Sequence, residues 1–270
     1  MDDRPIGVFD SGLGGLTTVR ELCRLLPEED IVYFGDTGRV PYGSRSRETI
    51  VKYARQDVAF LRTFDLKAIV IACGTVSTTA LDVLAAENPI PVLGVVAPAA
   101  RAAARATRSG SIGLIGTQAS IRSGAYERLI RAENPAARVL AQPCPLFVPL
   151  VENGRFRPGD VVIETVAAEY LAPLKAAGVD TLVLGCTHYP LLEKVIGAYM
   201  GPEVRLINSG AEGARAAADC LRERDALAGP GRGSCRCFVS DRQEDFSRLA
   251  STFLGWDVAQ AVEQVDISQS

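Results

Sequence analysis

The sequence predicts an α/β fold of two similar doubly wound parallel-sheet domains, related by a pseudo-twofold duplication, with the functional site in the cleft between them. Short β-branched apolar runs alternate with Ala/Leu/Arg/Glu-rich stretches of helical length, which is typical of βαβ units. The runs form two sets of four, offset by roughly 105 to 113 residues, close to the size of one small α/β unit. The third run of each set leads into a cysteine.

Each predicted strand is too short for a helix and resembles the buried strands of a parallel sheet. The first set, IGVF, IVYF, AIVIA and PVLGVV, begins near residues 6, 31, 68 and 91. The second set, SIGLIG, ARVLA, TLVLG and VRLI, begins near residues 111, 137, 181 and 204. A helix from about Asn208, the linker AGPGRG, a strand at CFV and a last helix reaching Trp256 should follow. The tail from Asp257 has no clear pattern.

The repeat also predicts how the chain is divided. We expect residues 1–96 together with 208–270 to form a first α/β domain that carries Cys73, because the last stretch would close the first half. Residues 97–207 should form the second α/β domain, which carries Cys186.

Composition and charge exclude several classes of function. Apolar residues make up 47% of the chain, but no run approaches the roughly 20 residues needed to cross a bilayer. The start, MDDRPIGVFD, has acids where a secretory signal needs positive charge, so we expect a cytoplasmic protein without a membrane partner. The net charge is −3 with both signs mixed, which argues against nucleic acid as a partner.

The cysteine and histidine counts argue against disulfides and metal sites. Seven cysteines are an odd number for a disulfide framework and suggest free thiols. The single histidine, His188, excludes most His-rich zinc sites. Cys235-Arg-Cys237 has no further Cys/His cluster nearby to complete a zinc site, so we interpret it as a surface strand. We predict no metal, and a core position for three other cysteines: Cys23, Cys144 and Cys220.

We expect Cys73 and Cys186 to lie at positions from which a side chain can contact a bound ligand. In an open α/β sheet, residues between a strand and the next helix point into the crevice at the carboxyl ends of the strands. Cys73 lies in ACGT and Cys186 in GCTH, each after the third strand of its set. A helix N-terminus lowers a thiol pKa from about 8.5 towards neutrality, and the hydroxyls of Thr75, Ser77 and Thr187 add hydrogen-bond donors. The simpler alternative is that a buried cysteine is only a small core residue.

Two activatable thiols that face each other can act on opposite faces of one carbon atom. One, as a thiolate, removes the α-proton of an amino acid while the other, as a thiol, delivers a proton from the far side. Without a pyridoxal cofactor, this step depends on proximity and on electrostatic stabilisation of the developing carbanion. A duplicated fold supplies the near-symmetry that such an inversion requires.

Four sequence blocks resemble the bacterial glutamate racemases. They are DSGLGGL at residues 10–16, GDTGRVPYG at 35–43, CPLFVPLVENG at 144–154 and GCTHYPLL at 185–192. The resemblance spans most of the chain, and it implies interconversion of L- and D-glutamate without a cofactor, to supply D-glutamate for peptidoglycan. It also implies that the protein forms a homodimer. The one other partner that the resemblance implies is the small-molecule substrate.

The resemblance assigns roles to individual residues. The implied catalytic group is the cysteine pair with supporting acid/base residues: Cys73, Cys186, Asp10, His188, Asp36 and Glu152. The implied substrate-contacting positions are Asp10, Ser11, Tyr42, Gly43, Gly74, Thr75, Thr187 and His188.

Elementary physics supports part of this assignment. Ser11 and Gly12 lie at a strand-to-helix turn whose N–H groups suit a carboxylate, and Thr117 and Ser120 occupy the equivalent turn of the second half. Each residue also has a simpler alternative. Asp10 would then be a helix cap, Tyr42 and Asp36 ordinary turn residues, and Glu152 a solvent-facing helix residue.

The chain departs from the family's pattern at three places. Gly74 stands where ACNTAS would have Asn, Ala97 replaces a frequent Glu, and Asn208-Ser209 replaces a frequent Asp-Ser. The glycine removes an amide expected to contact substrate. It either allows backbone N–H groups to approach the substrate more closely or makes room for a water molecule that replaces the amide.

Three other functions remain open from the sequence. A dinucleotide-binding enzyme is suggested by the glycine-rich first turn, but Gly12-x-Gly14-x-x-Thr17 is not the complete motif, and Asp10 would face the pyrophosphate. A protein that binds an acidic amino acid without turnover is a second alternative, favoured by Gly74. A racemase of the same superfamily with another substrate is the third.

Overall fold

The computed structural model describes residues 1–241, 243–256 and 262–267. Strands and α-helices alternate along nearly the whole chain. In chain order the strands are β1 Ile6–Asp10, β2 Ile31–Gly35, β3 Ala68–Ile71, β4 Val92–Gly94, β5 Ser111–Gly116, β6 Arg138–Pro143, β7 Thr181–Leu184, β8 Arg205–Asn208, β9 Cys235–Val239 and β10 Val262–Gln264. The helices are α1 Leu16–Leu25, α2 Arg47–Leu61, α3 Gly74–Thr79, α4 Leu81–Glu87, α5 Val96–Ala106, α6 Gln118–Ser123, α7 Ala125–Glu133, α8 Phe147–Glu152, α9 Val161–Ala176, α10 Glu193–Met200, α11 Ser209–Glu223 and α12 Gln243–Leu254.

The strands form two parallel sheets with the same internal order. The first sheet runs β10-β9-β2-β1-β3-β4 and the second β6-β5-β7-β8, so the order of the second matches the β2-β1-β3-β4 part of the first. Every strand pair between described residues is parallel. Parallel pairing requires a long crossover after each strand, which explains the regular alternation with helices. The predicted α/β fold with two similar parallel sheets is confirmed.

We call the parts of the chain built on the first and second sheets the first half and the second half. The chain leaves the first sheet after β4 and returns to it at β9. Helix α11 packs against both α1 and α5, and therefore lies where the two halves meet. The domain boundaries themselves, residues 1–96 with 208–270 and residues 97–207, stay a prediction.

In the inner strands β1, β2, β3 and β7, apolar residues are buried on both faces of the sheets, as parallel sheets require. Along β1, Val8 belongs to a large core that also contains Leu184 of the second half, whereas Phe9 belongs to a core shared with Ile50 of α2. The large core therefore continues from one half into the other. None of the helices within the described ranges has the length and apolar character needed to span a bilayer.

The last part of the first sheet differs from the sequence interpretation. Strand β9 lies between β10 and β2 and is not a surface strand, because Cys237 is completely buried. Strand β10 lies in the tail that shows no clear pattern. It contributes one buried residue, Val262, and pairs with β9 through its backbone. A single buried side chain does not produce an apolar pattern that the sequence alone would reveal.

Candidate active site

The two cysteines that follow equivalent strands border one cavity of about 360 Å³. Cys73 follows β3 and is the residue before α3, and Cys186 follows β7 after one intervening glycine. Because β3 and β7 occupy the same place in their sheets, both cysteines lie at carboxyl ends of strands. The cavity has the size of an ordinary small-molecule site.

Most of the predicted site residues border this cavity, and three lie behind its surface. Those that border it are Ser11, Tyr42, Gly43, Cys73, Gly74, Thr75, Thr117, Glu152, Cys186, Thr187 and His188. Those that do not are Asp10, Asp36 and Ser120.

Cys73 is a buried thiol with a hydroxyl neighbour. Its Sγ lies 3.3 Å from Ser11 Oγ. Burial and the nearby Asp10 carboxylate raise the pKa of Cys73 to about 12, although the Ser11 hydroxyl and the N–H of Val76 act in the opposite direction. The expectation that a helix N-terminus brings this pKa towards neutrality is therefore wrong for Cys73, because burial of the thiol has the largest effect on its pKa.

Cys186 lies beside a buried histidine that contacts a carboxylate. His188 Nδ1 is 3.9 Å from Cys186 Sγ, and His188 Nε2 is 3.0 Å from Glu152 Oε1. Burial disfavours the imidazolium, but hydrogen bonds to Cys186 and Glu152 favour it more strongly and raise the pKa of His188 to about 10. His188 is then protonated at neutral pH, and both of its ring nitrogens are donors.

Asp10 stabilises the turn before α1 and does not border the cavity. Its carboxylate accepts hydrogen bonds from the N–H of Gly12, at 3.0 Å, and from the N–H of Gly15. Thr187 of the second half donates a longer hydrogen bond to it, at 3.5 Å. Burial raises the pKa of Asp10, with the charge of His188 and the N–H groups of the turn acting against that shift. Asp10 thus holds this turn and links the two halves, while the N-cap of α1 is Gly15.

Asp36 is completely buried behind the segment 40–44, which we call the wall segment. All five residues of the wall segment border the cavity. The hydroxyl of Tyr42 donates to Asp36 and also lies 3.1 Å from Asp57 Oδ2, so it points at groups that do not border the cavity. The hydroxyl of Tyr42 is therefore not the group with which this residue would contact a ligand.

Gly74 lies at a close approach between the two halves. A Cβ atom added to it would be 2.5 Å from the carbonyl oxygen of Gly185. Real Cβ atoms essentially never approach an oxygen this closely, so any side chain at position 74 requires a shift of one backbone relative to the other. The structure thus shows a close approach of two protein backbones at this glycine. The two roles predicted for it toward the substrate stay predictions.

Sequence reasoning missed an apolar part of the cavity lining. Cys144 was expected to be a core residue; it is buried and also borders the cavity. The apolar lining residues all belong to the sequence blocks around VPYG and CPLFVPLVENG, so the resemblance could have pointed to them. Nothing in their chemistry marks them as ligand contacts. The additional apolar lining residues are Val40, Pro41, Cys144, Pro145, Val148 and Pro149.

The residues around the cavity show no preformed metal site. Within residues 1–241, 243–256 and 262–267, no group of three or more His, Cys, Asp or Glu side chains is arranged to hold a metal ion.

A family model described as Asp/Glu/Hydantoin racemase matches residues 9–217 of the chain. The glutamate racemase of Geobacter metallireducens is 49% identical over 256 residues, covering 94% of each chain. A crystal structure of a glutamate racemase isoform from Bacillus anthracis has a TM-score of 0.93 at 38% identity, covering 98% of each chain. The Francisella tularensis glutamate racemase in complex with D-glutamate has a TM-score of 0.92 at 37% identity and full coverage of both chains. The chain therefore belongs to the Asp/Glu/Hydantoin racemase family, among the glutamate racemases.

Proposed function

We propose that this protein is a cofactor-independent glutamate racemase in which Cys73 and Cys186 exchange protons with opposite faces of the substrate α-carbon. The observation that carries the proposal is the placement of both thiols, from equivalent strands of two similar sheets, on a single small cavity. The identity of 49% to a glutamate racemase over 94% of the chain indicates the substrate.

The surroundings of the two thiols suit one as the acid and the other as the base in a given direction of the reaction. Cys73 has a raised pKa and is therefore the thiol that can donate a proton. Cys186 is the base in that direction, and a protonated His188 can hydrogen-bond to the thiolate that Cys186 must become. In the reverse direction Cys73 must lose its proton, and Ser11, at 3.3 Å, is placed to donate a hydrogen bond to it.

The remaining polar groups on the cavity suit the substrate carboxylates. Thr75, Thr117, Thr187 and Ser11 all border it, and each carries a hydroxyl. Hydroxyl and backbone N–H donors can bind carboxylates and stabilise charge that develops near the α-carbon during proton removal. The apolar residues Val148 and Pro149 help to exclude water from the site.

The alternatives from the sequence have weaker support. A dinucleotide would need the N–H groups of the first turn, but Gly12 and Gly15 already donate to Asp10. Binding without turnover would leave the paired thiols without a role. A racemase with another substrate remains the main competitor, because Gly74 replaces the Asn of the family pattern.

Circular dichroism of D-glutamate and, separately, D-aspartate tests the proposal with purified protein and no added cofactor. We expect decay of the D-glutamate signal with the wild type and none with Cys73→Ala or Cys186→Ala. Cys23→Ala is a matched control that removes a thiol far from the cavity lining. Decay with another amino acid alone would change the substrate, and flat traces throughout would favour the binding protein.

The proposal extends to the biology of the protein. We infer a cytoplasmic homodimer that supplies D-glutamate for peptidoglycan. Sedimentation velocity tests the dimer, and rescue of a D-glutamate-requiring bacterial strain by the wild type, but not by Cys73→Ala, tests the supply of D-glutamate.

A further inference from the structure

A buried polar cluster lies behind the wall segment. Within the described part of the chain it contains two carboxyl groups and one cation. Asp36, after β2, and Asp57, in α2, are both completely buried. The guanidinium of Arg39 bridges them, with Nε 2.6 Å from Asp36 Oδ2 and Nη2 2.9 Å from Asp57 Oδ1. Two ionised carboxylates would leave this cluster with an uncompensated buried negative charge, which is costly.

The hydrogen bonds of Tyr42 show how the charge is reduced. Its hydroxyl contacts oxygen atoms of both Asp36 and Asp57, but a phenol has only one proton to donate. If both carboxyls were ionised, one of the two contacts would join two acceptors with no hydrogen between them. A proton on one carboxyl removes this conflict, because that carboxyl can then donate to the phenol oxygen.

The distribution of donors identifies the carboxyl that holds the proton. Asp36 accepts from Arg39 on one oxygen, where Tyr42 also donates, and from Ser240 Oγ, at 2.8 Å, on the other. Asp57 accepts from Arg39 on Oδ1, while the one hydrogen-bond partner of its Oδ2 among the described residues is the Tyr42 hydroxyl. The larger number of hydrogen-bond donors stabilises the ionised form of Asp36, so we place the proton on Oδ2 of Asp57.

We propose that Asp57 is a positioning residue held as the neutral acid, which donates to Tyr42 so that Tyr42 donates to ionised Asp36 and fixes the wall segment. Burial and the charge of Asp36 raise the pKa of Asp57 well above its usual range, against the opposing effects of Arg39 and Tyr42. The negative charge of Asp10 in β1 also raises the pKa of Asp57. On the outer side, the ring of Tyr53 lies 4.3 Å from the Arg39 guanidinium and Gln56 accepts from Arg39.

The cluster matters for the reaction through the backbone that it holds. Tyr42 and Gly43 border the cavity, and Gly43 packs against Thr117 of the second half. A displaced Tyr42 would move this contact between the halves and change the shape of the binding site. This consequence for substrate binding depends on the proposed racemase function, whereas the protonation of Asp57 does not.

Infrared spectroscopy tests the protonation of Asp57 without any activity measurement. The difference spectrum between wild type and Asp57→Asn at neutral pH should contain the carbonyl band of a protonated carboxyl, contributed by the wild type. The matched spectrum against Asp36→Asn should contain the same band, because Asp57 can ionise once the charge of Asp36 is removed and Arg39 is left to Asp57 alone. The proposal is overturned if the band is absent from the first spectrum, or if carboxyl carbon-13 NMR of aspartate-labelled wild type places the protonated carboxyl at Asp36.

Kinetics test the positioning role with two substitutions at the same site. Asn at position 57 can donate to Tyr42 and accept from Arg39, so Asp57→Asn should keep the KM for D-glutamate close to that of the wild type. Asp57→Leu cannot do either and should raise KM about tenfold, with a smaller change in kcat, if one hydrogen bond that shapes the binding site is lost. Equal damage by both substitutions would overturn the proposal. If neither the wild type nor its variants turn over glutamate, the proposed function has failed and the infrared result still decides the state of Asp57.

Discussion

Thr75 Oγ1 and Thr117 Oγ1 lie 2.9 Å apart and join the two halves beside the cavity. Thr117 also accepts a hydrogen bond from the N–H of Ser120 at the start of α6. One hydroxyl thus caps a helix of the second half and binds the first half. Since both threonines border the cavity, closure of the halves and the shape of the substrate site depend on the same contact.

Thr117→Val should impair both stability and substrate binding. The substitution keeps the shape of the side chain but removes a helix cap, which typically costs about 1 kcal/mol of the free energy of unfolding. Thr75→Val is the matched control, because it breaks the link between the halves and leaves the cap intact. Urea unfolding and the KM for D-glutamate are the measurements. We expect both variants to raise KM and only Thr117→Val to lower stability. An equal loss of stability in both would contradict the assignment of the cap.

Glu152→Gln should lower the pKa of His188. The charge and hydrogen bond of Glu152 help to raise this pKa to about 10, and a neutral amide removes the charge. The chain contains a single histidine, so one ring resonance in proton NMR of untagged protein reports it directly. If the imidazolium is required, the alkaline fall of kcat should move towards neutrality with the NMR pKa. Glu203→Gln, at an 85% exposed side chain, is the control and should change neither value. An unaltered pKa in Glu152→Gln would contradict the coupling.

Substitution of Gly74 should disturb the approach of the two halves. Even Gly74→Ala places a Cβ 2.5 Å from the Gly185 carbonyl oxygen, and overpacking of this kind typically costs about 1 to 3 kcal/mol. We expect lower thermal stability and a higher KM for D-glutamate, with Gly74→Asn more affected than Gly74→Ala. Gly231→Ala is a matched control, since an added Cβ there has no neighbour within 4 Å. A fully stable and active Gly74→Asn would show that the close approach is unnecessary.

Lys67→Met should destabilise the fold without changing the chemistry. Lys67 and Glu29 form a buried ion pair with side chains 1% and 2% exposed, away from the cavity lining. Removing one partner of such a pair typically costs about 3 to 5 kcal/mol, because the other charge stays buried. Urea unfolding should show this loss, with kcat unchanged. The double variant Glu29→Gln/Lys67→Met should recover part of the stability.

An exposed ion pair is the control for this effect. Arg108 and Glu203 are 75% and 85% exposed, and exposed pairs typically contribute about 0 to 1 kcal/mol. Arg108→Met should therefore leave the free energy of unfolding nearly unchanged. A loss as large as that of Lys67→Met would mean that burial is not the cause.

The sequence by itself determined strands β1 to β9, the duplication and the equivalent places of Cys73 and Cys186, because these depend on local apolar patterns and their spacing. Only the tertiary structure decided what surrounds those residues. Burial raises the pKa of Cys73 against the expectation from its helix, and Asp36 lies behind the wall segment instead of on the cavity. Asp57 has no sequence signal at all, since it is one polar residue in an ordinary helix. Desolvation, shared protons and close backbone approaches arise between segments distant along the chain, so no local pattern contains them.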